Sequence, residues 1–566
     1  MSKKWKKKQE NIQTWKEAAL SHLGVSSEDD IRGWYERFGK DDYRLDGSEK
    51  FIDIVTGFKN KPIRIFGDKD PDGVMASRIM ETGLETYGCK DVKVRLPYSK
   101  SEGFGLNVNA IDEFPEGCLL ITVDNGVSAL EPVRYAKQRG CTVIVTDHHD
   151  PEVDENKNII LPEADLVIDP EAVPDSADYP HYCGAGVAFK LARKLLASAG
   201  IVNGNILNQL LSYAAIATVA DVVELREENF VFVSYGLACI NKGITSAGVM
   251  AMAELGNLCG HVTAKNIAFD IAPMINACHR MKDDGADVVF RLICEDNALR
   301  AKIGAQDVQN IRAACKEYSS SGTEDVLAYI RDNKMQDDPV LVVQTNAAEG
   351  VRGIIAARVV EEFGVPTLIV GPSEMEPKLL KGSGRSVDGV DLTTLLRESG
   401  AVFESLGGHP QACGCSMMKE RFDENRKLVM DKAKEMDIHK VDQTVSYYDV
   451  EIPDSEIRPA VEGLKAFEPT GKGNEPVVFK VDYHPSSIRF IGKDKQTVKL
   501  TCRDGSDAIA YHMADRFREA GYGEGFENDM PDSIILYGTV QENIWKPKNG
   551  MERRTPQVFF EDFEIK

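Results

Sequence analysis

Four short runs of apolar residues each lead into an acidic residue, and these acids could together bind metal ions. The runs, at 63–66, 119–123, 142–146 and 165–168, lead into Asp68, Asp124, Asp147 and Asp169. Asp68 begins the sequence DKDPDG, and Asp147 begins the sequence DHH. If the runs are parallel strands, their carboxyl ends share one edge of a sheet, and the acids converge there. Clustered carboxylates repel one another, so the pattern predicts a pair of divalent cations among them.

The donor types at this edge indicate which ions would bind and what they would do. Carboxylates with imidazoles, and no thiolate, favour Mn²⁺ or Mg²⁺ over structural Zn²⁺, and the histidines favour Mn²⁺. Two such ions side by side hold a phosphate, generate hydroxide from water and stabilise the leaving oxygen. The predicted reaction class is therefore phosphoester hydrolysis.

Each motif also has a simpler structural interpretation. DKDPDG could be a calcium loop, but the glutamate of an EF-hand is missing and an apolar run precedes it. Asp169 is interpreted as a turn former or helix cap. His148 and His149 could be a buried histidine pair, but two imidazoles beside several acids are better explained as ligands.

The composition excludes several classes of protein. The chain has 566 residues and a net charge of −22, which repels polyanions from most of the surface, so nucleic-acid binding must be local. The 12 cysteines form no C-x-x-C pair, which argues against a zinc ribbon or a disulfide framework. No apolar run is long enough to span a membrane. We therefore expect a cytoplasmic protein with reduced thiols and no membrane contact.

The hydrophobic pattern predicts an α/β fold class, with three parts after an N-terminal helical extension at 1–50. Residues 51–318 alternate short strands with helices, which indicates a doubly wound parallel sheet, a helical part and a long connecting helix. A polar patch at 319–325 indicates a break near the end of that helix. Residues 319–440 form a second, smaller α/β domain. Residues 441–566 contain short alternating strands, which favours a small β-barrel.

The order of the motifs resembles that of the DHH phosphoesterase superfamily. The acidic motif, the sequence VDNG and the sequence DHH follow one another as they do in that superfamily. The segments that narrow the resemblance to the RecJ family of single-strand-specific exonucleases lie at 183–196, 217–225, 271–281, 350–370, 381–392, 406–414 and 467–479. The resemblance implies a DHH domain, a DHH-associated domain and a C-terminal OB-like β-barrel that binds nucleic acid.

The resemblance also implies a set of metal ligands. The positions that match the family's ligands are Asp68, Asp70, Asp72, Asp124, His148 and Asp221. His149 matches a second histidine near the metals or the scissile phosphate, and Asp147 would orient a ligand histidine. Asp221 lies in an apolar helical stretch where an unpaired carboxylate would be costly, and metal binding would remove that cost. The alternative is a helical aspartate paired with a lysine or arginine.

Further matching residues imply contacts with the substrate. Ser383, Arg385 and Arg280 match positions that hold the 5′-terminal phosphate in the family, and a guanidinium fork suits phosphate oxygens. Gly407 and Gly408 would permit close backbone approach, while His409 would face the reacting phosphate. Turns, a surface arginine and a solvated histidine are the alternative interpretations.

Other positions are specific to this chain or belong to the barrel. Lys100 stands near a place where the family commonly has arginine, and it would act as a point charge. Lys69 replaces a usual aromatic residue, and His279 replaces a usual glycine. On the barrel, the candidate patch for unpaired bases is Trp545 with Lys546, Lys548, Arg553 and Arg554, with an exposed basic hairpin as the alternative.

Together, these observations predict a RecJ-like exonuclease that acts in DNA repair and recombination. It would hydrolyse single-stranded DNA from 5′ to 3′ to nucleoside 5′-monophosphates, using two Mn²⁺ ions or Mg²⁺. One alternative is a DHH phosphodiesterase for short oligonucleotides or cyclic dinucleotides, and another is a catalytically silent single-strand-binding scaffold. We expect a monomer whose protein partners are a single-strand-binding protein or a helicase.

Overall fold

The computed structural model describes residues 4–98, 102, 105–154, 156–440, 445–523, 525–526, 530–545 and 553–565. The chain divides into two compact units. One comprises Met1–Lys40, Glu224–Glu227 and Gln443–Lys566, and the other comprises Asp41–Val223 and Glu228–Asp442. The first 40 residues therefore belong with the C-terminal residues and do not form a separate extension.

The larger unit begins with the predicted parallel sheet. Its five strands are, in spatial order, Asp91–Arg95, Pro62–Phe66, Leu119–Val123, Thr142–Thr146 and Leu166–Ile168. All four pairings are parallel. The central strand is buried at every position because helices cover parallel sheets on both faces. The predicted α/β doubly wound fold is confirmed.

A helical segment follows the sheet. Its helices are Gly184–Ser198, Gly204–Ala220, Glu227–Asn241, Ala247–Leu255, Ala264–Asn266, Ala272–Met281, Gly285–Ile293 and Ala298–Asp332, with a π-helical turn at Ile267–Ile271. Helices earlier in the chain are Trp15–Leu23, Glu28–Lys40, Ser48–Gly57, Pro71–Tyr87, Val108–Asp112 and Leu130–Gln138. Among the described residues, none of the helices has the length and apolar character needed to cross a membrane.

The predicted break at 319–325 is wrong, because the helix Ala298–Asp332 runs through it without interruption. The hydroxyl of Ser319 donates to the carbonyl of Lys316 at 3.0 Å, and that of Thr323 donates to the carbonyl of Ser319 at 2.7 Å. Gly322 faces Ile355 so closely that an added Cβ would lie 2.8 Å from the Ile355 side chain. Tertiary packing thus holds a helix through a segment of poor helix formers.

The second α/β region contains a mixed five-stranded sheet. Its strands are, in spatial order, Ser405–His409, Ala412–Met418, Leu379–Arg385, Thr367–Pro372 and Leu341–Gln344. The last two strands are parallel, and the other pairings are antiparallel. The helices of this region are Arg352–Phe363, Leu392–Glu398 and Phe422–Glu435. This sheet presents the glycine-rich strands that the sequence analysis assigned to substrate binding.

The smaller unit is built on an eight-stranded sheet. Its strands are, in spatial order, Val450–Pro453, Phe479–Tyr483, Ile534–Trp545, Arg553–Ile565, Asp507–Ala510, Thr497–Cys502, Pro485–Ile491 and Gly525–Phe526. A separate two-stranded pairing joins Lys4–Lys7 to Val445–Tyr448 in parallel. The Trp5 ring stacks on Tyr537 at 4.5 Å between centroids, and its indole nitrogen donates to Asp562 at 2.9 Å. The N-terminal residues are thus part of this unit's packing.

A buried histidine further attaches the N-terminal helix Trp15–Leu23 to the C-terminal residues. His22 Nδ1 lies 2.7 Å from the Glu475 carbonyl, and Nε2 lies 3.1 Å from Asp449 Oδ1. Both partners are acceptors, so the imidazolium, with a proton on each nitrogen, satisfies both. The hydrogen bond to Asp449 raises the pKa of His22. Burial opposes the Asp449 carboxylate, but the hydrogen bond and charge of His22 and the hydrogen bond from the Val478 N–H together lower the Asp449 pKa.

This pair predicts a pH-dependent contribution to stability. The His22 contribution is complete below the unfolded pKa of about 6.5 and is lost as the pH rises through the raised folded pKa. The Asp449 contribution is lost as the pH falls through its lowered folded pKa. We expect His22→Gln to cost about 2 kcal/mol near pH 5.5 and clearly less near pH 9.5. Thermal unfolding at both pH values measures this, with the exposed His439→Gln as control; an equal loss at both would contradict it.

Candidate metal centre and adjoining cleft

The acidic loop after the strand Pro62–Phe66 is a tight turn held by its own carboxylates. Asp70 Oδ1 accepts from the backbone N–H groups of Asp72 at 2.9 Å and Gly73 at 3.1 Å, and so caps the helix Pro71–Tyr87. Asp68 Oδ1 accepts from the N–H of Lys69 at 2.7 Å. A Cβ at Gly73 would lie 2.5 Å from Asp68 backbone atoms, so only glycine permits this turn.

Asp72 is held by the start of a different helix. Its two carboxylate oxygens accept from the N–H groups of Gly184 at 2.6 Å and Ala185 at 2.8 Å, at the N-terminus of the helix Gly184–Ser198. The partial positive charge of a helix N-terminus stabilises an anion there. These two hydrogen bonds fix the orientation of the Asp72 carboxylate, which is only 1% exposed.

The ring of His148 lies close to three of the predicted carboxylate ligands. Its Nε2 lies 3.0 Å from Asp124 Oδ1, 3.5 Å from Asp72 Oδ2 and 3.9 Å from Asp221 Oδ2. Asp124 follows its strand with a left-handed backbone, φ 62°, which turns the carboxylate towards the histidine. Asp221 ends the helix Gly204–Ala220. Three separate segments therefore deliver carboxylates to one imidazole.

Asp147 organises the DHH sequence. Its Oδ1 lies 2.7 Å from His149 Nδ1 and accepts from the His148 N–H at 2.8 Å, while Oδ2 accepts from the Val127 N–H at 2.9 Å. Burial opposes the charged form of His149, but the hydrogen bond and charge of Asp147, together with the charges of nearby aspartates, raise the pKa of His149 to about 10. Burial also opposes the Asp147 carboxylate, but the hydrogen bond and charge of His149 and the hydrogen bond from the Val127 N–H together lower the Asp147 pKa. Asp147 thus occupies the orienting position expected of it.

The donors fit a hard divalent cation. Within the described part of the chain, two groups bring three donor atoms within 4.8 Å of one another: Asp124, His148 and His149, and Asp72, His148 and Asp221. Burial, together with the charges of Asp72 and Asp70, raises the pKa of Asp124 well above its ordinary value. This is the behaviour of carboxylates whose counter-charge is a cation rather than a side chain. Carboxylates with imidazoles suit Mn²⁺ or Mg²⁺.

Asp68 and Asp70 lie in the same loop but in neither three-donor group. Burial, with the charges of Asp68 and Asp72, raises the pKa of Asp70 to about 7. Their metal role remains a prediction. Asp169 adopts the structural role expected of it, since its Oδ1 accepts from the N–H groups of Glu171 and Ala172, each at 3.0 Å.

Most of the predicted substrate-binding residues line a cleft of about 1030 Å³. Those that line it are Arg280, Ser383, Arg385, Gly407, Gly408 and His409. Lys69, Arg352, Arg358 and Lys381 add positive charge, against the carboxylates of Glu349 and Glu361. The cleft is therefore cationic in a chain that is acidic overall, which is where a polyanion would bind.

Arg280 and Arg385 carry charges without carboxylate partners. Among the described residues, no carboxylate forms a hydrogen bond with either guanidinium. Arg385 Nη1 donates to the Ser383 hydroxyl at 3.2 Å and to the Gly384 carbonyl at 2.8 Å. Burial lowers the pKa of both arginines, because each guanidinium has lost contact with water. A bound phosphate would supply an anionic partner.

His409 connects the cleft to the metal-binding sequence. Its Nδ1 lies 3.2 Å from Oδ2 of Asp150, the residue after His149. Gly408 has φ 131°, and a Cβ there would lie 2.4 Å from the Ala412 carbonyl, so glycine is required. Lys100 lies outside the described residues. Trp545 is described in its backbone alone, where it pairs with Arg553, so its predicted base contact stays a prediction.

The sequence analysis missed an aromatic surface on the eight-stranded sheet. Arg489, Lys499, Ile509 and Phe559 are paired in turn across four neighbouring strands. Tyr511 is 58% exposed, and its ring lies 5.7 Å from that of Phe559. We call Tyr511, Phe559, Arg489 and Lys499 the aromatic platform. In this part of the sequence, the buried Ala508 and Ala510 alternate with residues that point outward, such as Tyr511. This alternation could have indicated the aromatic surface.

A parallel sheet with an acid and histidine cluster at its carboxyl edge, followed by a small mixed-sheet region, defines the class of DHH phosphoesterases. The family model of the DHH family N-terminal domain matches residues 62–218, the DHHA1 domain model matches 337–435, and the RecJ OB domain model matches 448–561. These three matches assign the regions 62–218, 337–435 and 448–561 to the DHH, DHHA1 and RecJ OB domain families, in that order along the chain.

Individual relatives agree with this assignment. The chain is 26% identical over 542 residues to the single-stranded-DNA-specific exonuclease RecJ of Bacillus subtilis, covering 93% of this chain but 64% of that protein's length. Its fold matches RecJ of Thermus thermophilus in complex with Mn²⁺, with a TM-score of 0.74 and 24% identity over 100% of this chain and 80% of that one. A structure of exonuclease RecJ bound to manganese has a TM-score of 0.58 and 28% identity, over 69% of this chain and 95% of that one.

Proposed function

We propose that this chain is a metal-dependent exonuclease that hydrolyses single-stranded DNA from 5′ to 3′ and releases nucleoside 5′-monophosphates. The observation that carries the proposal is the contact between two sites. The cluster around His148 suits divalent cations, and Arg280 and Arg385, which have no carboxylate partner among the described residues, suit a phosphate. His409, which lies 3.2 Å from Asp150, joins the cleft to the metal-binding sequence.

Different residues bind the substrate and orient the metal-binding side chains. Arg280, Arg385 and Ser383 would hold the 5′-terminal phosphate by charge-assisted hydrogen bonds. Asp147 fixes the His149 ring and the His148 backbone, and Asp124 contacts the His148 ring, so the donor atoms are in place before substrate binds. Divalent cations, when bound, supply a hydroxide nucleophile and stabilise charge on the phosphate. A terminal phosphate held beside the hydrolytic centre sets the cut one nucleotide from the 5′ end.

The choice of ion, partners and location belong to the same proposal. Mn²⁺ is favoured because histidine takes part in both donor groups, and a related RecJ of known structure binds manganese. One chain carries both the donor cluster and the cleft, which supports action as a monomer. A single-strand-binding protein or a helicase would supply the substrate. Free thiols at all 12 cysteines support a cytoplasmic location, and there the proposed exonuclease would act in DNA repair and recombination.

A time course on a labelled strand tests the proposal. The substrate is a single-stranded oligonucleotide with a 5′ phosphate and a 3′ label, incubated with Mn²⁺ beside a duplex control. We expect stepwise shortening of the single strand from its 5′ end and release of mononucleotides. Cleavage of dinucleotides with no shortening of long strands would instead indicate a phosphodiesterase for short substrates, and no cleavage of either would indicate a silent binding scaffold.

Arg385→Gln is expected to remove the preference for a 5′ phosphate. Because the guanidinium has no carboxylate partner, its loss should cost about tenfold in KM for a 5′-phosphorylated strand and little for a 5′-hydroxyl strand. Steady-state kinetics on both strands measure the difference. The exposed Arg300→Gln, whose guanidinium pairs with Glu295 at 2.7 Å and which does not line the cleft, is the matched control. An equal loss on both strands would assign Arg385 a structural role.

The aromatic platform provides a second contact to the same strand. We expect Tyr511→Ala to weaken binding of a long single strand by about tenfold, since a base stacks on each exposed aromatic face. Binding of a dinucleotide should not change. Fluorescence anisotropy measures both, with Tyr447→Ala as control because Tyr447 is similarly exposed, at 53%, and lies on another strand. Equal effects of the two substitutions would exclude the platform.

A further inference from the structure

Lys69 stands between the metal-binding acids and the cleft. It lies between Asp68 and Asp70 in sequence, yet its side chain lines the cleft together with His279 and Arg280. Of the described residues in the acidic loop at 67–73, Lys69 alone reaches the cleft wall. It is only 6% exposed, and burying an ammonium group is costly unless negative charge meets it.

The charges around Lys69 come from both sides. Asp68 and Asp70 act on its ammonium group from the acidic loop, and Lys381 and Glu349 act on it from the second α/β region. Burial, with the charges of Arg280 and Lys69, lowers the pKa of His279 to about 3, so this imidazole is neutral. Lys69 thus follows the predicted metal ligand Asp68 directly in the chain, while its side chain lines the same cleft as Arg280.

We propose that Lys69 is a substrate-binding residue that contacts a non-bridging oxygen of the scissile phosphate, a role that rests on the proposed exonuclease function. The first internucleotide phosphate must lie near the acids while the terminal phosphate lies near Arg280 and Arg385. Lys69 is placed between those two positions. Its ammonium group donates to the phosphate as a point charge and carries no proton to the leaving group.

The test is a binding cycle on the full chain, with Ca²⁺ in place of Mn²⁺ so that binding is read rather than cleavage. Lys69→Met removes the charge and keeps the length of the side chain. We expect it to bind a 5′-phosphorylated strand about tenfold more weakly than wild type. The difference should vanish when the first linkage is a neutral methylphosphonate and persist when the third linkage is the neutral one. Lys69→Arg should bind within about threefold of wild type.

Three results would overturn the proposal. The first is no loss of affinity in Lys69→Met, and the second is a loss that stays the same when the first linkage is neutral. The third is weaker Mn²⁺ binding by Lys69→Met in calorimetry, which would mean that Lys69 supports the structure of the acidic loop instead of binding substrate. Lys302→Met, at an exposed lysine paired with Glu254, controls for a general change in charge. If the wild-type protein shortens no strand, the exonuclease function itself is rejected. The time course on a labelled strand measures that outcome independently of the Lys69 variants.

Discussion

Asp124→Asn is expected to abolish hydrolysis, with a loss of at least about 10³-fold in kcat. Asp124 is 2% exposed, and its Oδ1 lies 3.0 Å from His148 Nε2, in a group of three donors. The amide keeps the shape of the side chain but removes the charge that a divalent cation requires. Asparagine also accepts the left-handed backbone at this position, whereas alanine would add strain. The measurement is strand shortening in Mn²⁺.

Its control and a second readout separate chemistry from folding. Asp325→Asn makes the same change on the exposed face of the helix Ala298–Asp332 and should leave cleavage unchanged. Calorimetry should find weaker Mn²⁺ binding by Asp124→Asn at an unchanged thermal midpoint. Wild-type rates for Asp124→Asn would mean that this cluster is not the hydrolytic centre.

Gly184→Ala is expected to disrupt the metal centre although it replaces none of the predicted ligands. An added Cβ would lie 2.4 Å from the Asp124 Cβ and 2.7 Å from its Cα, and backbone atoms cannot move aside cheaply. The same residue donates its N–H to Asp72 at 2.6 Å, so displacing it disturbs two carboxylates together. We expect a loss of about 3 kcal/mol in stability and of nearly all Mn²⁺ binding.

Gly204→Ala is the matched control, because Gly204 is also the first residue of a helix, Gly204–Ala220, and an added Cβ there meets no atom within 4 Å. It should leave the thermal midpoint and metal binding close to wild type. Unfolding curves and calorimetry on both variants measure the contrast. Full Mn²⁺ binding by Gly184→Ala would contradict the packing argument.

Much of the metal centre could be predicted from the sequence because it depends on local order. Each strand of the parallel sheet is a short apolar run, and the rule that parallel strands share a carboxyl edge brings Asp124 and His148 together. The backbone donors to Asp72 could not be predicted in the same way. Gly184 and Asp72 are 112 positions apart, and no local pattern connects them.

The second α/β region was harder to predict for a different reason. The strand Leu379–Arg385 has the sequence LLKGSGR, in which glycines replace the β-branched residues typical of strands. It forms because strands pair with it on both sides. A Cβ at Gly382 would lie 2.6 Å from the Val370 side chain, so the glycines allow a packing that the residue types alone do not indicate. The continuous helix through 319–325 is a similar case, since Gly322 packs against Ile355.

The parallel pairing of Lys4–Lys7 with Val445–Tyr448 has a consequence for synthesis on the ribosome. The helix Trp15–Leu23 leaves the ribosome early, but the partners of His22, Asp449 and Glu475, are made only after more than 400 further residues. Because domains fold as units during synthesis, the smaller unit cannot fold until its later part, Gln443–Lys566, has been made. The emerging N-terminal segment must therefore wait, unpaired, while the larger unit folds first.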